Sequence, residues 1–345
     1  MAPLYDLTCV IHVHSIYSDG TGSVDEIARA AARNAVDVVL LTDHDTLAAR
    51  RRGEEGWHGS VLVLVGHEVS PRGRDHFLAF GVDKEISRRL PSAEICAAAR
   101  EQGGFGFAAH PWSAGAQLTK RPGAMPWTDI DCDGLEGIEV WSFVTDTVES
   151  LRSFREAFRF IARPEQVIDH APPRNVADWD RLGARRRVVG IGGLDAHQIG
   201  IRVLGRVPIR LMSYARSFRH LRTHVLCDEP PSGSFEHDRD QVYAALRSGR
   251  CYMAVDSLAP ARGFTFEAGG ASMGSELPAE PVTLEAKAPR PASLRLVKDG
   301  IPIASTEAAT LSHEVEEPGV YRIEARLHAH GRERTWILSN PIYLR

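Results

Sequence analysis

Two histidines two residues apart, His12 and His14, close the apolar run Leu7–Ile11 within the stretch Val10–Asp19. Alternate residues of a strand face the same way. Both imidazoles are therefore aimed at one point, an arrangement that suits a metal better than a hydrophobic core. Asp19 follows in the same loop, and Thr42-Asp43-His44-Asp45 closes the apolar run Val36–Leu41 in the same manner. Glu68 ends a third run, Val61–Val65, through Gly66-His67-Glu68, and His76 opens the next. His110 follows Phe105–Ala109, and Asp195 and His197 follow Val188–Leu194. These nitrogen and oxygen donors outnumber what one four-coordinate ion can use, so two or three divalent ions, bridged by a carboxylate and by hydroxide, are expected. Mixed imidazole and carboxylate ligands suit Zn, Mn or Fe.

Each piece alone is ordinary. A His-x-His pair is common, a Glu at a strand end is usually an ion-pair partner, and Ala109-His110-Pro111 makes a plain turn. Their joint occurrence at successive strand ends carries the argument. His67 faces away from Glu68 by strand alternation and is assigned to structure. His58, His220, His224, His237, His313, His328 and His330 lack such placement and are read as surface or packing residues, while His170 lies in a segment of ambiguous pattern.

The elements that must hold the donors alternate between strand and helix. Ser23 with Glu26 forms a capping box for a helix reaching about Asn34. Val36–Leu41 reads as a buried parallel strand, and Thr46–Glu55 as a short helix. Ser92–Gln102 is helical up to Gly103. The segment Trp112–Asp133 has no period and reads as a long loop over the site. Leu135–Val140 is a strand carrying Glu139. Val144–Ile161 has helical spacing at Val148, Leu151, Phe154, Phe158 and Ile161. Tyr214–Leu221 and Asp238–Ser248 also read as helices, the latter stopped by Gly249. This order predicts an α/β barrel, with the donors converging on the rim at the C-terminal strand ends. From about Asp256 the pattern changes to six or seven short alternating strands separated by Gly, Pro and Asp-Gly turns. That pattern predicts a small all-β sandwich, so the chain divides into residues 1–255 and 256–345.

Composition narrows the class. The 345 residues carry 41 basic and 45 acidic side chains, a formal charge of −4, which argues against a grip on polymeric nucleic acid or on an anionic membrane. Five scattered cysteines without a Cys-x-x-Cys pair imply a reduced compartment. The N-terminus enters a strand at once, which predicts no signal peptide, and no apolar run approaches the ~18 residues of a membrane span. A cytoplasmic protein is expected.

The set H-V-H-S…D, T-D-H-D, G-H-E, D-H-F-L-A-F-G, A-H-P and L-D-A-H resembles the motifs of the polymerase and histidinol phosphatase (PHP) superfamily over roughly residues 5–255. The ending S-N-P-I-Y-L-R after a β domain is similar to PHP proteins of the carbaryl-hydrolase-like group. The resemblance implies a distorted (β/α)7 barrel that binds up to three metals and hydrolyses phosphoesters. Carried over, His12, His14 and Asp195 hold a first metal, Glu68 bridges to a second held by His76 and His110, and Asp19, His44 and His197 hold a third. Glu68, His197 and Asp43 are the expected catalytic group, with Asp43 orienting His44 or a neighbouring ligand. Asp45 and Glu139 fall outside the ligand set. Arg121 and Arg174 are candidates for clamping a phosphate.

The leading expectation is a phosphoesterase that acts on a small phosphate ester or nucleotide through a metal-bridging hydroxide. The alternatives are a hydrolase of carbamate, amide or carboxyl esters at the same centre, and a non-catalytic binding protein stabilised by metals. Arginines around the open positions favour phosphate, and an apolar pocket favours a neutral ester.

Overall fold

In the computed structural model, which describes residues 4–120, 122–167, 169–203 and 207–345 (for 199–203 and 207–211 the strand pairing alone), the first strand is β1, Tyr5–Val13. The helix α1, Val24–Ala32, begins at the capping box of Ser23 and Glu26 and buries Val24, Ile27 and Ala31. Then follow β2 (Val38–His44), α2 (Ala48–Arg51), β3 (Gly56–His58), β4 (Val61–Val69), β5 (Phe77–Phe80), α3 (Ser92–Glu101), β6 (Phe105–Ala108) and β7 (Gly137–Ser142). After these come α4 (Phe143–Ser150), α5 (Phe154–Ala162), α6 (Pro173–Gly183), β8 (Val189–Gly193), β9 (Ile199–Val203) and β10 (Val207–Met212). The elements α7 (Tyr214–Ser217), β11 (Leu221–Cys227), α8 (Phe235–Ser248) and β12 (Cys251–Val255) complete this part.

The strands β1, β2 and β4 pair in parallel, as do β6, β7 and β8. A parallel bridge from Val13 to Ala196, with Leu194 N–H donating to the Ile11 carbonyl, brings the end of β8 back to β1 and curls the sheet on itself. The strand β5 is antiparallel to both β4 and β6, so the repeat is not a uniform series of βα units. Side chains from both faces of β1, β2 and β4 are buried, as expected for strands covered on two sides.

Several boundaries differ from the periodicity. The helix predicted over Val144–Ile161 is two helices, α4 and α5, broken at Leu151–Ser153, where Ser153 accepts the Glu156 N–H and starts a new N-terminus. The helix predicted over Thr46–Glu55 is one turn, and Gly53 beyond it takes φ +72°. The helix predicted over Tyr214–Leu221 ends at Ser217, and Leu221 opens β11. The described residues of segment 112–133 form no helix or strand, as read. The segment is pinned by the Trp127 indole, which donates to the His76 carbonyl at 2.7 Å, and by Thr128, whose N–H donates to the Asp75 carboxylate.

Residues 256–345 form ten strands, more than the six or seven expected, because two-residue strands such as Ala271–Ser272 and Glu276–Leu277 are too short to show alternation. A four-stranded antiparallel sheet faces the strands Ser293–Lys298, Gly319–Ala329 and Arg332–Ser339 across a core of Phe264, Phe266, Leu284, Leu296, Ile323 and Trp336. The strand β12 pairs antiparallel with Arg332–Ser339, and Tyr252 joins that core, so neither hydrogen bonding nor packing is interrupted at residue 255. No helix among the described residues is long and apolar enough to cross a membrane.

Candidate metal centre

The ends of β1, β2, β4 and β8, with the turns before β5 and after β6, bring nine side chains to one place. His14, Asp19, His44 and His197 form one group of mutually close ligand atoms, Glu68, His76 and His110 a second, His12, His14 and Glu68 a third, and His12, His110 and Asp195 a fourth. Within each group these atoms lie within 4.8 Å of one another. All nine residues placed in the ligand set from sequence are here.

Local backbone explains the aim. The β1–β2 register shifts between Ile11 and Val13, and His12 at the bulge takes φ +65°. A bulge re-aims a side chain. Asp195 and His110 also hold positive φ, +52° and +30°. Such conformations cost of order 1–3 kcal/mol each and persist where the surroundings over-determine them.

Glu68 is the hub. It is fully buried, with Oε1 2.7 Å from His76 Nδ1 and 3.4 Å from His110 Nε2. Its Oε2 lies 2.9 Å from His44 Nδ1 and 3.5 Å from Nε2 of both His12 and His14. Asp195 Oδ1 is 3.4 Å from the same two Nε2 atoms. Asp19 closes the outer side, 3.1 Å from His197 Nε2 and 3.5 Å from His44 Nε2. The His14 and His197 rings stack at 4.1 Å.

His76 Nδ1 and Glu68 Oε1 form a hydrogen bond, but not every close approach here is one. His12 Nε2, His14 Nε2 and Glu68 Oε2 are buried and have no hydrogen-bond partner despite these short distances. A buried polar atom without a partner is rare, and three facing one another are matched to a cation that all three can ligate. The donors therefore fit divalent metal ions.

The electrostatics are those of a site built around positive charge. Burial opposes charge on Glu68, yet His76, His12 and His44 hold its carboxyl well below the ordinary range. Burial opposes charge on Asp195 too, and His12 and His197 outweigh it. On His44, desolvation is overcome by the Glu68 and Asp19 carboxylates, and its pKa rises to about 11. His14 goes the other way, to about 4, because burial and the neighbouring His197 both disfavour its charged form. Without metal, protons on His44 and its neighbours balance the carboxylates. Since an imidazole ligates only when neutral, loading metal at neutral pH is expected to release protons and to weaken as pH falls. Titrating the metal-free protein with Zn in weak buffer, with an indicator dye, checks this. An unchanged pH on loading would contradict it.

No family profile matches the chain. Over 80 residues, 21% of the chain, it is 38% identical to the phosphoribosyl 1,2-cyclic phosphate 1,2-diphosphodiesterase of Eggerthella lenta, and the match spans 30% of that protein's length. Over 140 residues, 36% of the chain, it is 29% identical to an uncharacterised protein of Methanocaldococcus jannaschii, spanning 78% of it. Among solved structures, it is similar to a two-domain protein of Bacteroides vulgatus that contains a predicted PHP-like metal-dependent phosphoesterase. There the TM-score is 0.45 and the identity 17%, covering 97% of this chain and 95% of that one.

The remaining residues singled out in the sequence lie outside the nine. Asp43, expected in the catalytic group and orienting His44 or a neighbouring ligand, is held by Ser15 and by Ser18, whose hydroxyl also reaches Asp19. Asp43 Oδ1 accepts the Ser15 N–H at 2.7 Å and the Ser18 hydroxyl at 2.6 Å, and its Oδ2 accepts the Ser15 hydroxyl at 2.6 Å. It thus fastens the loop between His14 and Asp19. The partner of His44 is Ser70, whose Oγ lies 2.6 Å from Nδ1. Arg174 is exposed on α6 and pairs with Asp178, and Arg121 lies outside the described residues. His67 keeps its structural part, its Nε2 accepting the Ile86 N–H. His170 lines a groove beside α6 and the C-terminal strands, apart from the nine donors. His224, read as surface or packing, is wholly buried between Asp6 and Asp256, at 2.8 and 3.3 Å, and these carboxylates with their hydrogen bonds outweigh burial and raise its pKa to about 9.

Two positioning residues escaped the sequence reading. Glu139 is fully buried, with Oε1 3.1 Å from His12 Nδ1 and Oε2 accepting the His110 N–H at 2.7 Å. A carboxylate on the far nitrogen of a ligating imidazole fixes its tautomer, and here it turns the His12 Nε2 lone pair toward the centre. The available signal was a lone acid inside the apolar strand Leu135–Val140, where a buried charge demands a partner. Thr145 donates to Asp195 Oδ2 at 2.5 Å and leaves Oδ1 to the donors; its sequence carries no comparable signal. Gly193 makes room for this arrangement, since a Cβ there would stand 1.8 Å from Glu139 Oε1. Glu139→Gln and Gly193→Ala are each expected to lower metal affinity by about 10–100-fold, the range for outer partners of ligating histidines. Metal-binding isotherms on variants with wild-type circular dichroism test this, and unchanged affinity in both would remove Glu139 from the account.

Proposed function

We propose that this chain is a metal-dependent hydrolase of the PHP type that cleaves a small phosphate ester, with His12, His14, Asp19, His44, Glu68, His76, His110, Asp195 and His197 holding two or three divalent ions. The observation that carries the reading is the meeting of unpartnered His12 Nε2, His14 Nε2 and Glu68 Oε2 at the centre of the nine donors. Bound divalent ions supply a water acidified toward neutrality and positive charge for a substrate oxygen. The chain's own residues do the rest. Glu68 spans both halves of the centre, and Glu139 and Thr145 set the faces that His12 and Asp195 present. Asp19 is more than half exposed, with a side-chain accessibility of 57%, and marks the open side from which substrate enters. His197, beside it, is placed to meet the substrate there.

A second reading keeps the centre and changes the substrate to a carbamate, amide or carboxyl ester. One observation favours it: among the described residues no lysine or arginine pairs with any of the four carboxylates Asp19, Glu68, Glu139 and Asp195. The two readings separate on panels of phosphomonoesters, phosphodiesters, carboxyl esters and carbamates offered to protein reloaded with Mn or Zn. Release of phosphate, or opening of a phosphodiester, is expected. Turnover confined to carboxyl or carbamate esters would replace the first reading by the second.

We also propose residues 1–255 as the catalytic part and 256–345 as an accessory β part, and a cytoplasmic location in keeping with five cysteines that are all unpaired. Zn, Mn and Fe all suit the ligand set.

A further inference from the structure

The Sγ atoms of Cys96 and Cys132 lie 3.8 Å apart, both buried, in segments 36 residues apart in sequence. Cys96 sits on α3 and packs in the main core. Cys132 sits at the far end of the loop whose Trp127 holds the His76 carbonyl, where its N–H donates to the Asp129 carbonyl, between exposed Asp131 and Asp133. Of the other three cysteines, Cys9 Sγ contacts the Leu7 carbonyl and Cys251 Sγ the Gly190 carbonyl. A disulfide needs the sulfurs at about 2.05 Å, so closing this pair takes a shift of under ~2 Å shared between a helix and a loop.

We propose that Cys96 and Cys132 are a peroxide-sensitive dithiol which, when oxidised, clamps the Trp127 loop to α3. The Cys132 thiolate attacks the O–O bond of a hydroperoxide, giving a sulfenic acid and releasing the alcohol, or water from hydrogen peroxide. The Cys96 sulfur then attacks the sulfenic sulfur and expels water, so two electrons pass from the sulfurs to the peroxide and the thiol protons leave in the products. Cys132 keeps a slight exposure, between exposed Asp131 and Asp133, where Cys96 has none, which makes it the attacking sulfur. The clamp reaches the centre through the loop. Cys132 is four residues from Thr128 and five from Trp127, whose indole holds the His76 carbonyl. A transient disulfide of this kind is the form that occurs in reducing compartments.

The test uses the whole protein with its metals, treated with hydrogen peroxide and then examined for thiols, linked peptides and amide exchange. The expected result is a fall from five thiols to three, one Cys96–Cys132 peptide, and exchange across residues 127–133 slowed by roughly tenfold or more, all reversed by dithiothreitol. Cys96→Ser is expected to show no linked peptide and no slowing of exchange. Five thiols retained, loss of Cys9, Cys227 or Cys251 at the same rate, or the same slowing in Cys96→Ser would overturn the proposal. None of these readouts depends on which ester the centre cleaves.

Discussion

Glu68→Gln is expected to empty the metal centre and take turnover to background. One carboxylate here faces five imidazoles, from His12, His14, His44, His76 and His110, at 2.7–3.5 Å. The amide keeps the volume but loses the charge, and it turns an NH2 toward nitrogen atoms that need an acceptor or a metal. The loss is expected to exceed the ~10–100-fold typical of outer partners. It should also show without substrate. In metal-free protein the imidazolium of His44 loses a buried counter-charge, and breaking a buried pair costs about 3–5 kcal/mol. Elemental analysis and thermal unfolding on one preparation read both effects. A Glu68→Gln protein that keeps full metal and the wild-type unfolding midpoint would show that the carboxylate is not the hub.

The second large effect is expected from replacing His12 and His14 together by alanine. Each ring takes part in two of the groups of converging donors, and both Nε2 atoms reach toward Glu68 and Asp195. Removing both leaves the two carboxylates opposed across a cavity. Metal content and turnover should fall together, by more than ~100-fold for turnover, since displacing catalytic groups by even 1 Å can cost that much. Circular dichroism guards against simple unfolding, because the two rings are also wholly buried. A folded double variant with full metal and normal turnover would remove His12 and His14 from the centre.

The donors were legible because their chemistry and their place coincide. His12 and His14 end one apolar run, His44 the next and Glu68 a third, and it is their recurrence at successive strand ends, not any one of them, that marks a site. Glu139 was not legible, because it lies inside its strand and looks like an isolated acid until His12 and His110 are brought beside it. The partners of Asp43 were hidden for a related cause. Its neighbour His44 points into the centre, so alternation sends Asp43 to the other face, where the hydroxyls of Ser15 and Ser18 take it up. The break between α4 and α5 was hidden because Phe154 and Phe158 keep helical spacing while standing exposed, so the period continued where the burial did not. The strand β5, only four residues long, gave no sign of running antiparallel to its neighbours, since direction is a property of connection and register and not of residue type. The joining of β12 to Arg332–Ser339 across residue 255 is likewise a long-range pairing that local pattern cannot report.

The most direct test of the central claim is the equilibrium metal content of wild-type protein, reloaded with Mn or Zn, freed of excess ion by gel filtration and read by elemental analysis. Two or three ions per chain, falling toward none in Glu68→Gln, is the result expected of nine converging donors. Wild-type protein that retains no divalent ion, or a Glu68→Gln variant that retains as many as the wild type, would contradict it.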